Sequence, residues 1–269
     1  MVGPVESIIL GVAQGITEWL PVSSKGNVTI LGQFLGMSTS DAFSYAIILH
    51  IGTLIAAAIY FRKELLEVLK GEDPKLTRFI LFTLIFTAVT AVPCYFVLKA
   101  ILETASVSIG GVTIYSQTIF MIAVGIFLLV TGFLQLAKKK MKEAGLTRRN
   151  AIFLGLGQGL TVLPGMSRSG TTTSVMLFEG FSPEKAFHLS FLISVPTVIL
   201  GELSFNILDK PALSFDMVYG IVAAAVVGFL TIDFLLKIAK KINFGKFCVA
   251  LGVLYLAIAG ISIAMPIIA

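Results

Sequence analysis

Charge is what this sequence most lacks: of 269 residues only 13% are Asp, Glu, Lys or Arg, about half the ~25% of a soluble domain. It holds one tryptophan, two histidines and two cysteines. Cys94 and Cys248 stand alone in apolar segments, which excludes a disulfide framework and cysteine-based metal spacing. Residues 1–10 have no basic stretch and include Glu6, so no cleaved signal peptide is expected. What fills the chain is apolar: 57% of it is hydrophobic, with mean hydropathy +0.97. That composition excludes a cytosolic globule, a disordered chain and a nucleic-acid binder. It predicts an all-α, polytopic membrane protein, one integral domain over residues 1–269.

Six runs are long and apolar enough to cross about 30 Å of hydrocarbon: residues 42–61, 76–98, 117–137, 186–206, 215–236 and 246–268. Two further regions are interrupted. Residues 5–20 and 27–36 flank Pro21-Val22-Ser23-Ser24-Lys25-Gly26, and residues 151–163 and 171–180 flank Pro164-Gly165-Met166-Ser167-Arg168-Ser169-Gly170. The flanking pieces are too short to cross, and the interruptions suit protein or a wet cavity rather than lipid. They read as two re-entrant helical hairpins. Sixteen of the twenty basic residues fall between spans on one face. The positive-inside rule places that face in the cytoplasm of a cell membrane, with both termini outside.

The sequence also repeats itself at an offset of 144. Gly11, Gln14, Gly15 and Thr17 match Gly155, Gln158, Gly159 and Thr161; Ser23 and Gly26 match Ser167 and Gly170; Thr53 matches Thr197. Each half, 1–137 and 151–269, joined by a basic linker 138–150, holds one hairpin and three spans. Three is odd, so the halves are expected to be inverted, as in many transporters whose interrupted helices meet near the midplane.

That convergence sets Glu18, Ser23, Ser24, Lys25 and Asn27 against Ser167, Arg168, Ser169, Thr171 and Thr172. An arginine in the membrane costs about 2.5–3.5 kcal/mol at a helix centre, so it needs a partner. Its planar fork suits phosphate, and a helix beginning at the break offers free N–H groups. A structural Arg168–Glu18 ion pair is the plainer alternative. Glu18 is open to three roles: general base, metal ligand or counter-charge. Gln14, one turn before it, reads as a thin metal ligand or an interhelical hydrogen-bonding group. Ser24 is a nucleophile or a helix cap; Lys25 contacts phosphate or snorkels. His50 and His188 read as satisfied interhelical histidines, Glu202 and Asp233 as carboxylates that are paired or near an interface, and Trp19 as an interfacial residue or a neighbour of Glu18.

At these residues the chain resembles the undecaprenyl-diphosphatase, or bacitracin-resistance, family. Gln14-Gly15-Ile16-Thr17-Glu18-Trp19-Leu20-Pro21-Val22-Ser23-Ser24 is similar to its first motif, and Pro164-Gly165-Met166-Ser167-Arg168-Ser169-Gly170-Thr171-Thr172 to its more specific second one. The resemblance implies a membrane phosphatase that hydrolyses undecaprenyl or a related polyprenyl diphosphate to the monophosphate, recycling the lipid carrier of envelope glycans. It implies Glu18, Ser24 and Arg168 as catalytic residues. Ser23, Lys25, Asn27, Ser167, Ser169 and Thr172 become substrate contacts. Glu18 and Gln14 become ligands of a divalent cation, Mg2+ or Ca2+. Its partners are the lipid substrate and membrane lipids, with no nucleic acid and a homodimer left open. Two positions depart from the pattern: Gln14 where glutamate is usual, and Asn27 where a histidine usually follows the second serine. Asparagine carries no proton at neutral pH. A polyprenyl-phosphate transporter without hydrolysis, and an inactive binding protein, are the competing readings.

Overall fold

A computed structural model describes residues 3–109, 112–137, 144–208, 214–239 and 244–264. Lys138, Lys139, Lys140 and Lys142 of the linker, and the side chain of Glu202, lie outside the described residues. Among the described residues the chain forms eleven α-helices and one small β-ribbon.

The six apolar runs each form one helix: α3 (Thr39–Tyr60), α5 (Pro74–Glu103), α6 (Ser116–Leu136), α9 (Pro183–Leu208), α10 (Met217–Ala239) and α11 (Phe244–Ala264). Among the described residues five of them, α3, α5, α6, α10 and α11, are long and apolar enough to cross a membrane. The starts are set by local chemistry. Ser38 accepts from the Asp41 amide to cap α3, and Asp73 accepts from the Lys75 and Leu76 amides ahead of Pro74 to cap α5. Leu81, Ile85, Val89, Val92 and Phe96 form an exposed face on α5. A continuous apolar face of that kind suits lipid and not water.

The interrupted regions form two pairs of short helices: α1 (Pro4–Thr17) with α2 (Ser24–Phe34), and α7 (Arg148–Gly159) with α8 (Arg168–Phe178). At 1.5 Å per residue each is roughly 16–21 Å long, well short of the hydrocarbon thickness. The pairs are wedged into the bundle by close backbone approach. A Cβ on Gly11 would strike the Gly220 carbonyl of α10, and one on Gly155 would strike the Thr83 carbonyl of α5. Small residues at such spacing let helices pack without a hydrophobic drive between them.

Two elements escaped the sequence reading. Helix α4 (Arg62–Lys70) follows α3 directly and ends at Gly71, which adopts positive φ. Strands β1 (Ser106–Ile109) and β2 (Val112–Tyr115) pair antiparallel between α5 and α6, Ile109 opposite Val112. Gly110-Gly111 between alternating β-branched residues is the hairpin signal there.

Candidate active site

Both breaks need non-helical backbone inside the bundle, and buried carbonyls without partners are costly. Side chains from elsewhere supply the partners. In the first break, Ser169 Oγ donates to the Leu20 carbonyl at 3.1 Å, and Gln135 Nε2 and Cys248 Sγ donate to that of Pro21 at 3.1 and 3.0 Å. Asn27 Nδ2 donates to the Val22 and Ser23 carbonyls at 2.7 and 3.1 Å. In the second break, Lys25 Nζ donates to the Thr161 carbonyl at 2.8 Å and lies 3.5 Å from that of Val162. Ser167 caps α8 by accepting from the Gly170 amide at 3.2 Å.

The turns differ in strain. Gly165 turns the second break at φ 92°, where a Cβ would collide with the Val124 backbone. Ser23 turns the first at φ 64°, left-handed backbone that few residues other than glycine adopt. Strained backbone of this kind concentrates at functional sites.

Glu18 follows α1 and is 6% exposed. Its Oε2 accepts from Gln14 Nε2 at 2.9 Å and from Ser24 Oγ at 2.7 Å, and lies 3.3 Å from His50 Nε2. Its Oε1 accepts from Arg168 Nη2, across 150 residues of sequence. The two helix pairs thus meet at an acid from the first and a guanidinium from the second.

The remaining expected contacts divide by partner. Ser167, Ser169 and Thr172 bond within the second break and to its neighbours. Ser167 Oγ lies 3.3 Å from Ser169 Oγ, while Thr172 Oγ1 donates to the Arg168 carbonyl and lies 2.6 Å from Ser190 Oγ of α9. Asn27 is also spoken for, since its Oδ1 accepts from Tyr255 OH at 2.6 Å. Among the described residues, the buried donors Arg168 Nη1, Ser23 Oγ and Thr171 Oγ1 have no protein partner. Buried polar atoms are nearly always satisfied. The open guanidinium nitrogen of Arg168 suits an anionic oxygen ligand.

His50 is a satisfied interhelical histidine, as expected; that its partner beyond its own helix is the Glu18 carboxylate is what the sequence reading did not include. Thr53, one turn further along α3, lies 3.5 Å from Gln14 Nε2. The signal was available: Thr53 takes part in the internal repeat, and a residue one turn away shares its helix face. Trp19 is 1% exposed and donates to the Gly228 carbonyl at 3.0 Å, so it belongs to the interior. Asp233 pairs with Lys237 at 2.6 Å and accepts from Tyr60 OH at 3.3 Å, on an exposed face away from the breaks. His188 is exposed and sets its ring edge to Phe61.

The offset of 144 brings a second constellation into view around Gln158. Its Nε2 donates to Thr87 Oγ1 and Thr197 Oγ1, both at 2.9 Å. Val162 stands at the counterpart of Glu18 and Ser194 at that of His50. One half keeps the charge and the other does not.

For a divalent cation the protein donors are few. Among the described residues no three His, Cys, Asp or Glu side chains cluster. Both Glu18 oxygens are taken, but the Gln14 Oε1 beside them is buried and unpartnered. That oxygen fits a cation which takes its other ligands from substrate phosphate and water, the usual habit of Mg2+.

Comparison with known proteins gives the family. Residues 7–254 match the family described as Bacitracin resistance protein BacA. Among its relatives, an undecaprenyl-diphosphatase of Methanococcoides burtonii is 36% identical over 263 residues, covering 93% of this chain and 96% of the relative. One of Methanothrix thermoacetophila is 36% identical over 95% of this chain and 97% of its own. Another, from Sulfurisphaera tokodaii, is 36% identical over 88% and 89%. A match spanning both breaks and nearly the whole chain means that this protein belongs to the bacitracin resistance protein BacA family.

Proposed function

We propose that this chain is an undecaprenyl-diphosphate phosphatase, releasing inorganic phosphate and the lipid monophosphate. The carrying observation is the Glu18–Arg168 contact between the two breaks, with Arg168 Nη1 left buried and open. Phosphoryl transfer asks the protein mainly to position groups and neutralise charge. Arg168 Nη1, Ser23 Oγ and Thr171 Oγ1 supply donors for phosphate oxygens, and the N-terminus of α8 adds its dipole. Ser24 already donates to Glu18 at 2.7 Å, which fits it as the nucleophile. Glu18 takes its proton, Ser24 Oγ bonds to the terminal phosphorus, and the anhydride P–O bond breaks to release the lipid monophosphate. Water then hydrolyses the phosphoserine. Gln14 Oε1 would help hold a divalent cation, Mg2+ or Ca2+, which would supply charge neutralisation.

The same reading takes the two short helix pairs as re-entrant hairpins of an inverted repeat with six spans. It places the basic loops in the cytoplasm and both termini outside. Reciprocal packing supports this: α1 lies on α10 as α7 lies on α5, and α2 on α3 as α8 on α9. Each hairpin also sends its cation to the other's break, Arg168 to Glu18 and Lys25 to the Thr161 carbonyl.

The test is phosphate release by the purified protein in detergent with a polyprenyl diphosphate and magnesium. Arg168→Ala and Glu18→Ala are expected to lower the rate by about 10²–10⁴-fold. Absent release by the wild-type protein, with counterflow of a lipid phosphate in liposomes, would establish transport instead.

A further inference from the structure

We propose that His50 is the positioning residue of Glu18, holding the carboxylate oxygen that receives the Ser24 proton. The inference rests on the phosphatase reading and deepens it. His50 Nδ1 lies 2.8 Å from the Ala46 carbonyl and 3.2 Å from that of Ile47. Carbonyls only accept, so Nδ1 carries a hydrogen and the ring orientation is set by its own helix. Nε2 then faces Glu18 Oε2 at 3.3 Å, with the side chain 10% exposed. With a hydrogen on Nε2 as well, the ring is an imidazolium that pairs with the carboxylate at that distance. This is the oxygen that also accepts from Ser24 and Gln14, while Arg168 grips the other one. The carboxylate is therefore held on both sides, and its rotation away from Ser24 is blocked.

In the internal repeat the imidazole goes with the acid. At the counterpart of His50, Ser194 donates to its own helix at the Phe191 carbonyl. At the counterpart of Glu18 stands Val162, which needs no orienting partner. Acid and imidazole are kept together or lost together. Position 27 offers no substitute, because both ends of the Asn27 amide are engaged by Val22, Ser23 and Tyr255.

The test is steady-state phosphate release by the full-length protein in detergent, comparing wild type, His50→Phe and His50→Gln. His50→Phe keeps a ring and removes both nitrogens. It is expected to lower kcat by about 10–100-fold with KM within about twofold, as loss of a ligand-orienting group does elsewhere. His50→Gln restores an N–H donor and is expected to recover most of that loss. Wild-type kcat in His50→Phe overturns the proposal, as does a rise in KM that accounts for the whole effect. If His50→Phe fails to fold, as judged by a shifted gel-filtration profile, His50→Gln against His50→Leu carries the same comparison, and equal rates in those two overturn it. Phosphate release by wild type, abolished in Glu18→Ala, is the control that separates failure of this inference from failure of the phosphatase reading.

Discussion

The constellations around Gln14 and Gln158 are built on the same scaffold and differ in charge. Each glutamine sits one turn before its break and reaches a threonine on the following long helix, Thr53 in one case and Thr197 in the other. Around Gln14 stand Glu18, His50 and, from across the molecule, Arg168. Around Gln158 the neighbours are hydroxyls, with Thr87 completing the set. The repeat thus supplies the architecture twice, and the carboxylate and imidazole have been placed once. Architecture alone makes a satisfied polar joint between helices; the carboxylate and what holds it make a reaction centre.

The sharpest way to break that contrast is to neutralise the charged half. Glu18→Gln keeps the shape and is expected to lower phosphate release by about 10²–10⁴-fold, with the detergent-solubilised protein still monodisperse. A variant that retained its rate would reduce Glu18 to a structural counter-ion. Next in size comes the paired test of the two glutamines. Gln14→Ala is expected to lower the rate by about 10–100-fold. Gln158→Ala should leave the rate per folded molecule unchanged and cost about 1–3 kcal/mol of stability by stranding its threonines, read as a lower melting temperature. Equal kinetic losses in both variants would show that the second constellation also takes part in the chemistry.

Smaller still are the effects expected from the shared scaffold. Gly11→Val and Gly155→Val push side chains into the α10 and α5 backbones and should each cost about 1–3 kcal/mol, measured by thermal unfolding in detergent. Here the two halves should behave alike, since the close approach is common to both. The smallest change is expected from Asn27→His: with the orienting imidazole supplied from α3, the rate should stay within about threefold of wild type. A tenfold rise would place the missing proton carrier at position 27 after all.

What could be read from the sequence follows the same division. Apolar runs report helices because lipid tolerates little else, so α3, α5, α6, α9, α10 and α11 emerge close to their expected bounds. The breaks were legible because proline, glycine, hydroxyls and a cation have no place in hydrocarbon. Glu18 and Arg168 were legible as the charges within and beside them. Gln135, Cys248 and Tyr255 were not, because each is a lone polar group on an apolar helix. Nothing local says which of the other helices it faces. The orphan donors on Ser23 and Thr171 were likewise invisible: both residues belong to hydroxyl-rich stretches, and only packing decides which hydroxyls are consumed internally. Ribbon β1–β2 and helix α4 were overlooked because they lie outside the apolar runs on which the reading was built.

The 150 residues separating Glu18 from Arg168 have a consequence for biogenesis. At about 5–20 residues per second, the carboxylate leaves the ribosome roughly 8–30 s before the guanidinium that will neutralise it. Over that interval only Gln14, Ser24 and His50, all translated early, can shelter it from the bilayer. Arrival of the second half is then the event that locks a nascent membrane protein into its competent form, and a chain truncated before Arg168 should be recognised by quality-control proteases as unfinished.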